Sequence, residues 1–100
     1  MLTGKQKRFL RAEAHHLNPI FQVGKEGVGE AQCEQIRQAL AARELLKVRI
    51  LDNCEEDKKV VAQQLVEGTD AELVQLIGLT VVLYKQASKR ENRKIELPKA

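Results

Sequence analysis

One hundred residues with 43% apolar and 31% charged side chains suit one folded domain with a modest core, not a disordered chain. No apolar run reaches the roughly 18 residues of a membrane span, and no apolar signal core follows the first bases, so a cytoplasmic protein without a membrane partner is expected. The net charge of +3 conceals a segregation that suits a polyanion partner.

Residues 1–25 hold five bases (Lys5, Lys7, Arg8, Arg11, Lys25) and one acid, Glu13. Residues 26–84 hold six bases and eleven acids. Residues 85–100 hold six bases (Lys85, Lys89, Arg90, Arg93, Lys94, Lys99) and two acids. Both ends are therefore basic and the middle is acidic.

Thr3 and Gln6 have the spacing of a capping box, which predicts a first helix over 4–17. Leu10, Ala14 and Leu17 form its apolar stripe. Lys7, Arg11 and His15 run beside that stripe with Arg8 adjacent, so a second face of the helix is basic. Asn18-Pro19 ends the helix, and Pro19 places the strand that follows, about 19–23, at a sheet edge.

Next comes Val23-Gly24-Lys25-Glu26-Gly27-Val28-Gly29, a glycine-rich passage from a strand to a second helix over 29–43. Gly24 and Gly27 can take backbone conformations closed to other residues and leave no side chain in the way. The helix behind them presents unpaired N–H groups and a positive dipole end. Lys25 adds a charge at the tip. Such a loop is built to hold a phosphate.

Cys33, Ile36 and Leu40 face the second helix inward. Residues 45–51 alternate as a strand, with Leu46, Val48 and Ile50 on one face and Lys47 and Arg49 on the other. Asn53 and Glu56 predict the start of a third helix over 54–67, buried through Val61 and Leu65 with Val60 alongside, and Gly68 is its expected stop. Two strands follow, 72–77 and 80–86, turning at Gly78-Leu79. Residues 87–93 read as a mobile basic loop, with Ile95-Glu96-Leu97 docking back. The order α-β-α-β-α-β-β predicts an α/β (α+β) domain: a four-stranded mixed sheet in two layers with its helices.

Enzyme chemistry finds no support in these residues. The one serine, Ser88, lies in the basic tail, so Ser-His-Asp chemistry is excluded. Asp52, Glu55, Glu56 and Asp57 lack calcium-loop spacing and suit a helix N-terminus. Cys33 and Cys54 are isolated, and His15-His16 make a poor clamp, so no metal is expected. The glycine loop is neither a Walker motif nor a dinucleotide fingerprint, so no cofactor and no small-molecule substrate are expected. RNA remains. A Gly-x-x-Gly loop ahead of a helix can press its backbone against a nucleic-acid backbone, as in KH domains. The scarcity of aromatics argues against base stacking, so contacts should fall mainly on phosphate and sugar. A protein-interaction module whose basic ends dock on an acidic partner is the alternative.

Lys5-Gln6-Lys7, Leu17-Asn18-Pro19, Val23 to Val28, Glu44 to Val48 and Ile77 to Lys85 together resemble the chloroplast RNA splicing and ribosome maturation (CRM) domain, in a stand-alone bacterial form. The resemblance covers nearly the whole chain as one domain, with about 87–100 as its basic tail. It implies a fold like a translation initiation factor C-terminal domain, with strand order 1-2-4-3 and the last strand antiparallel. It also implies an RNA-binding protein implicated in assembly of the large ribosomal subunit, associating with the rRNA of its precursor particles; a monomer is expected. The family's loop maps onto Gly24, Lys25, Glu26 and Gly27. With it we take Lys5, Lys7, Arg8, Arg11, Lys47, Arg49, Lys85, Arg90, Arg93 and Lys94 as the expected RNA-binding set. The family often continues the loop with Leu-Thr where this chain has Val28-Gly29, which removes a hydroxyl cap. Glu26 adds a negative charge to the loop.

Overall fold

Pro19 and the glycines at 24, 27 and 29 cut the first third of the chain into a helix, a very short strand and a second helix. The computed structural model, which describes residues 2–99, has these as α1 (Gly4–Ala14), β1 (Phe21–Val23) and α2 (Glu30–Arg43). They are followed by β2 (Leu45–Ile50), α3 (Lys58–Thr69), β3 (Glu72–Ile77) and β4 (Thr80–Tyr84), then a single 3-10 turn at Arg90–Asn92. The four strands form one sheet in the order β1-β2-β4-β3. β1 pairs parallel with β2, while β4 runs antiparallel between β2 and β3.

Alternation along the strands divides the core. Leu46, Val48, Ile50, Val81 and Leu83 face α2 and α3, meeting Ile36, Leu40, Val61 and Leu65. Leu45, Val74, Val82 and Tyr84 face the other way, meeting Leu10 and Ala14 of α1. Each fully buried large aliphatic contributes about 1.5–3 kcal/mol relative to exposure. The sheet is thus covered on both sides, and α1 adds a third layer to the expected two.

The capping box is present: the Gln6 amide donates to the Thr3 hydroxyl oxygen and the Thr3 amide to Gln6 Oε1, both at 3.1 Å. α1 stops at Ala14, three residues short of expectation, and Leu17 is 37% exposed instead of joining the stripe. The connection to β1 takes it off the sheet. β1 is two residues shorter than expected, β2 one residue shorter, and β4 ends at Tyr84 rather than 86.

α3 departs further. It begins at Lys58, with Asp57 as its cap donating no proton but accepting from the Lys59 amide at 2.8 Å. Asn53 and Glu56 are not its cap: the Cys54 amide donates to the Leu51 carbonyl at 3.0 Å, so 51–54 is a turn. Val60 lies on the outer face, largely exposed. Gly68 is inside α3, not at its stop, and Asp70 ends the helix in the left-handed region (φ 57°). The reason for Gly68 is proximity. A Cβ there would come within 2.5 Å of Cys33 Sγ, so the glycine lets α2 and α3 approach.

The tail is tied at both ends instead of forming a free loop over 87–93. Ala87 is buried, and Ile95 and Leu97 pack against the α1 side of the sheet, as the docking expectation required.

Candidate nucleic-acid interface

Gly24 to Gly27 form a β-turn. The Gly27 amide donates to the Gly24 carbonyl at 3.0 Å, which leaves Lys25 and Glu26 exposed at the tip. Gly27 has φ +72°, a left-handed conformation that glycine takes without strain, and a Cβ there would meet nothing within 4 Å. Its requirement is therefore conformational. Gly24 has no such φ, and a Cβ there would reach ordinary contact with Asn53 Oδ1 at 3.4 Å and Leu51 Cδ1 at 3.6 Å.

The turn stands on firm supports. The Leu51 amide donates to the Val23 carbonyl at 2.8 Å, and Gln32 Nε2 of α2 donates to the Gln22 carbonyl at 2.6 Å. Val28 packs into the core behind the turn. Gly29 caps α2 without any side-chain hydrogen bond, so the first-turn N–H groups keep no side-chain partner. An uncapped helix start behind a glycine turn suits an anionic oxygen.

Arg49 lies beside this turn. It pairs in register with Gln22, two residues before Gly24, and is exposed on the α1 side of the sheet. Lys47, two residues back on the same face, is half-buried and donates from Nζ to the Leu17 carbonyl at 3.0 Å, so its ammonium also holds the α1–β1 link. α1 lies across this face with one flank against the tail: Gln6 Nε2 donates to the Pro98 carbonyl at 3.0 Å, and Glu13 lines a 370 Å³ cleft with Lys94 and Ile95. At about 100° per residue, Lys7 and Arg11 fall on the opposite flank, toward the uncovered part of the sheet. Lys5 and Arg8 are exposed on the outer side of α1.

The remaining predicted bases are elsewhere. Lys85, Arg90, Arg93 and Lys94 belong to the Leu45–Tyr84 end of the sheet, whereas the turn lies at the Ile50 end. The length of β2 separates them by roughly 16 Å at about 3.3 Å per residue. Lys85 is also paired with Asp70 at 3.3 Å, and Arg93 Nε donates to the Ala87 carbonyl at 2.9 Å. The fold therefore brings Arg49 beside the turn, with Lys47 two residues back on the same face, and sets the tail apart.

Glu44 organises that tail, and sequence reasoning assigned it no role. It closes α2 with φ 66° and is fully buried. Its carboxylate accepts from the amides of Ala87 (2.7 Å), Lys94 (2.6 Å) and Ile95 (3.0 Å). Burial pushes its pKa up, but the three amides and the charge of Arg93 outweigh this, and the net direction is below 4.5. The available signal was a charged residue standing where glycine usually ends a helix. Tyr84 lies nearby, its hydroxyl buried without a hydrogen-bond partner among the described residues. Burial, then the Glu44 charge, raises its pKa above 10.0. Among the described residues no group of three His, Cys, Asp or Glu side chains could hold a metal.

Comparison with known proteins finds relatives over nearly the whole chain. The CRS1 / YhbY (CRM) domain matches residues 2–85. The chain is 63% identical over 98 residues to the "Probable RNA-binding protein YqeI" of Bacillus subtilis, covering 98% of this chain and 100% of that protein. It is 40% identical to an "RNA-binding protein" of Haemophilus influenzae, covering 98% of this chain and 96% of the other. A solution structure from Staphylococcus aureus, of a protein proposed to bind RNA, superposes with a TM-score of 0.78 at 52% identity, covering 98% of this chain and all (100%) of that one.

Proposed function

The chain belongs to the CRS1 / YhbY (CRM) domain family, and from that premise we propose that it binds RNA through the Gly24–Gly27 turn. The observation that carries the reading is the turn itself. Gly27 is left-handed, Lys25 is at the tip, the α2 start behind it is uncapped, and Arg49 stands beside it. The turn meets one stretch of phosphate backbone at its exposed tip, where Lys25 stands. Arg49, Lys7 and Arg11 hold the phosphates that flank it across the uncovered sheet face. The tail bases Arg90, Arg93 and Lys94 serve a separate stretch at the other end of the sheet.

We further propose that the RNA is ribosomal and that the protein acts in the cytoplasm on precursors of the large ribosomal subunit. Relatives named as RNA-binding proteins support the ligand class. Sedimentation of cell lysate through a sucrose gradient tests the particle. The protein should travel with large-subunit precursors at low salt and leave them as salt rises. Migration at the top of the gradient under both conditions would overturn the ribosomal assignment.

A further inference from the structure

The turn has two unlike sides. On the α1 side of the sheet stand Arg49 and Lys47. On the other side the β2–α3 connection comes up, carrying Asp52, Asn53, Glu55, Glu56 and Asp57. This connection belongs to the α2/α3 side: Cys54, like Val28, packs against that core, and Asp57 caps α3. Every charged residue from 51 through 57 is an acid, and all of them are exposed. The first bases, Lys58 and Lys59, come only with α3 itself. A phosphate on this side would meet like charge, whereas on the sheet side it meets Arg49. A strand crossing the turn therefore directs its phosphates to the sheet side and its bases to the connection.

Asn53 is the neutral residue waiting there. Its Oδ1 and Nδ2 lie 3.4 Å and 4.0 Å from the place a Gly24 Cβ would occupy. A methyl at 24 would come into ordinary contact with the carboxamide, so Asn53 lies directly beside the Gly24 backbone. The carboxamide is exposed and makes no hydrogen bond to another described residue, so its donors and its acceptor are free for a ligand.

We infer that Asn53 contacts the edge of an unpaired base held at the Gly24–Gly27 turn, so that the RNA taken there is single-stranded and not a continuous duplex. This rests on the proposed RNA-binding reading and adds to it a direction for the strand and a base contact beyond phosphate and sugar. An A-form duplex hides its major-groove edges from a short side chain and pairs its Watson–Crick edges, leaving only minor-groove edges, whereas a single strand opens all of them to the carboxamide.

The test measures fluorescence anisotropy of three labelled probes: a mixed-sequence RNA strand of about ten nucleotides, its abasic counterpart, and its duplex. A Gly-x-x-Gly loop spans about four nucleotides, so such a strand is long enough. The wild-type protein should bind the base-bearing strand roughly tenfold more tightly than the abasic one, and more tightly than the duplex. Asn53→Ala should shrink the base-dependent gap to about twofold while leaving abasic affinity unchanged. A gap that survives Asn53→Ala, equal losses on both strands, no gap in the wild type, or a preference for duplex would each overturn the inference. Lys25→Ala, measured alongside, separates the two levels. If it weakens both strands while Asn53→Ala does nothing, only the base contact is wrong. If no variant changes anything, the turn is not the RNA site.

Discussion

The Glu44 carboxylate lies 2.6 Å from the Lys94 amide nitrogen, joining the end of α2 to a tail fifty residues further along the chain. The same carboxylate takes the amides of Ala87 and Ile95. One buried side chain therefore replaces the mobile loop expected of a basic, apolar-poor tail. Glu44→Ala should cost roughly 2–4 kcal/mol, because it leaves three amides without their acceptor. Urea unfolding measures this. A loss below about 0.5 kcal/mol would mean the tail contributes nothing to the fold.

The same interaction gives a pH dependence. The folded-state pKa of Glu44 is lowered from 4.5, so its contribution is fully present above 4.5 and is lost as pH falls through the lower folded value. Unfolding midpoints of wild type and Glu44→Gln should converge as pH drops from neutral to about 3. Parallel curves over that range would remove Glu44 from the acid response.

Gly68→Ala separates packing from helix propensity. Alanine is the better helix former by about 1 kcal/mol, yet its Cβ would stand 2.5 Å from Cys33 Sγ. The substitution should destabilise by about 1–3 kcal/mol. Adding Cys33→Ala should recover part of that loss, a coupling that thermal unfolding of the four variants in the cycle reads directly. Additive effects would show that the two residues do not meet.

Gly27→Val probes the turn without a clash, since nothing lies within 4 Å of the added Cβ. The cost is conformational, about 1–2 kcal/mol for a left-handed residue with a side chain. RNA affinity should fall further than this stability loss explains, because the turn must distort. A folded variant with full affinity would contradict the role given to Gly27.

Local signals carried most of the fold. The Thr3–Gln6 box, the alternation over Leu46, Val48 and Ile50, and the turn at Gly78, with φ +57°, all act within a few residues and are present as expected. Strand order and the family followed from the resemblance, and the sheet and the domain match agree with both. What sequence could not supply depended on tertiary contact. Gly68 reads as a stop signal, and only Cys33 on another helix explains it. Asn53 and Asp57 are both good cap residues, but a backbone turn spans 51–54 and the helix starts only after Asp57. Leu17 fits the helical period, but the chain leaves the helix before reaching it. For the candidate site, the glycine spacing was visible while its neighbours were not. Arg49 comes beside the turn through strand register with Gln22, and the tail bases are held away by Glu44.

The most direct measurement is the affinity of wild type and Lys25→Ala for a naked ribosomal RNA fragment across a series of salt concentrations. Affinity should fall steeply with salt for the wild type, and Lys25→Ala should bind more weakly with a salt slope reduced by about one unit. Unchanged affinity and unchanged slope in the variant would contradict RNA binding through the Gly24–Gly27 turn.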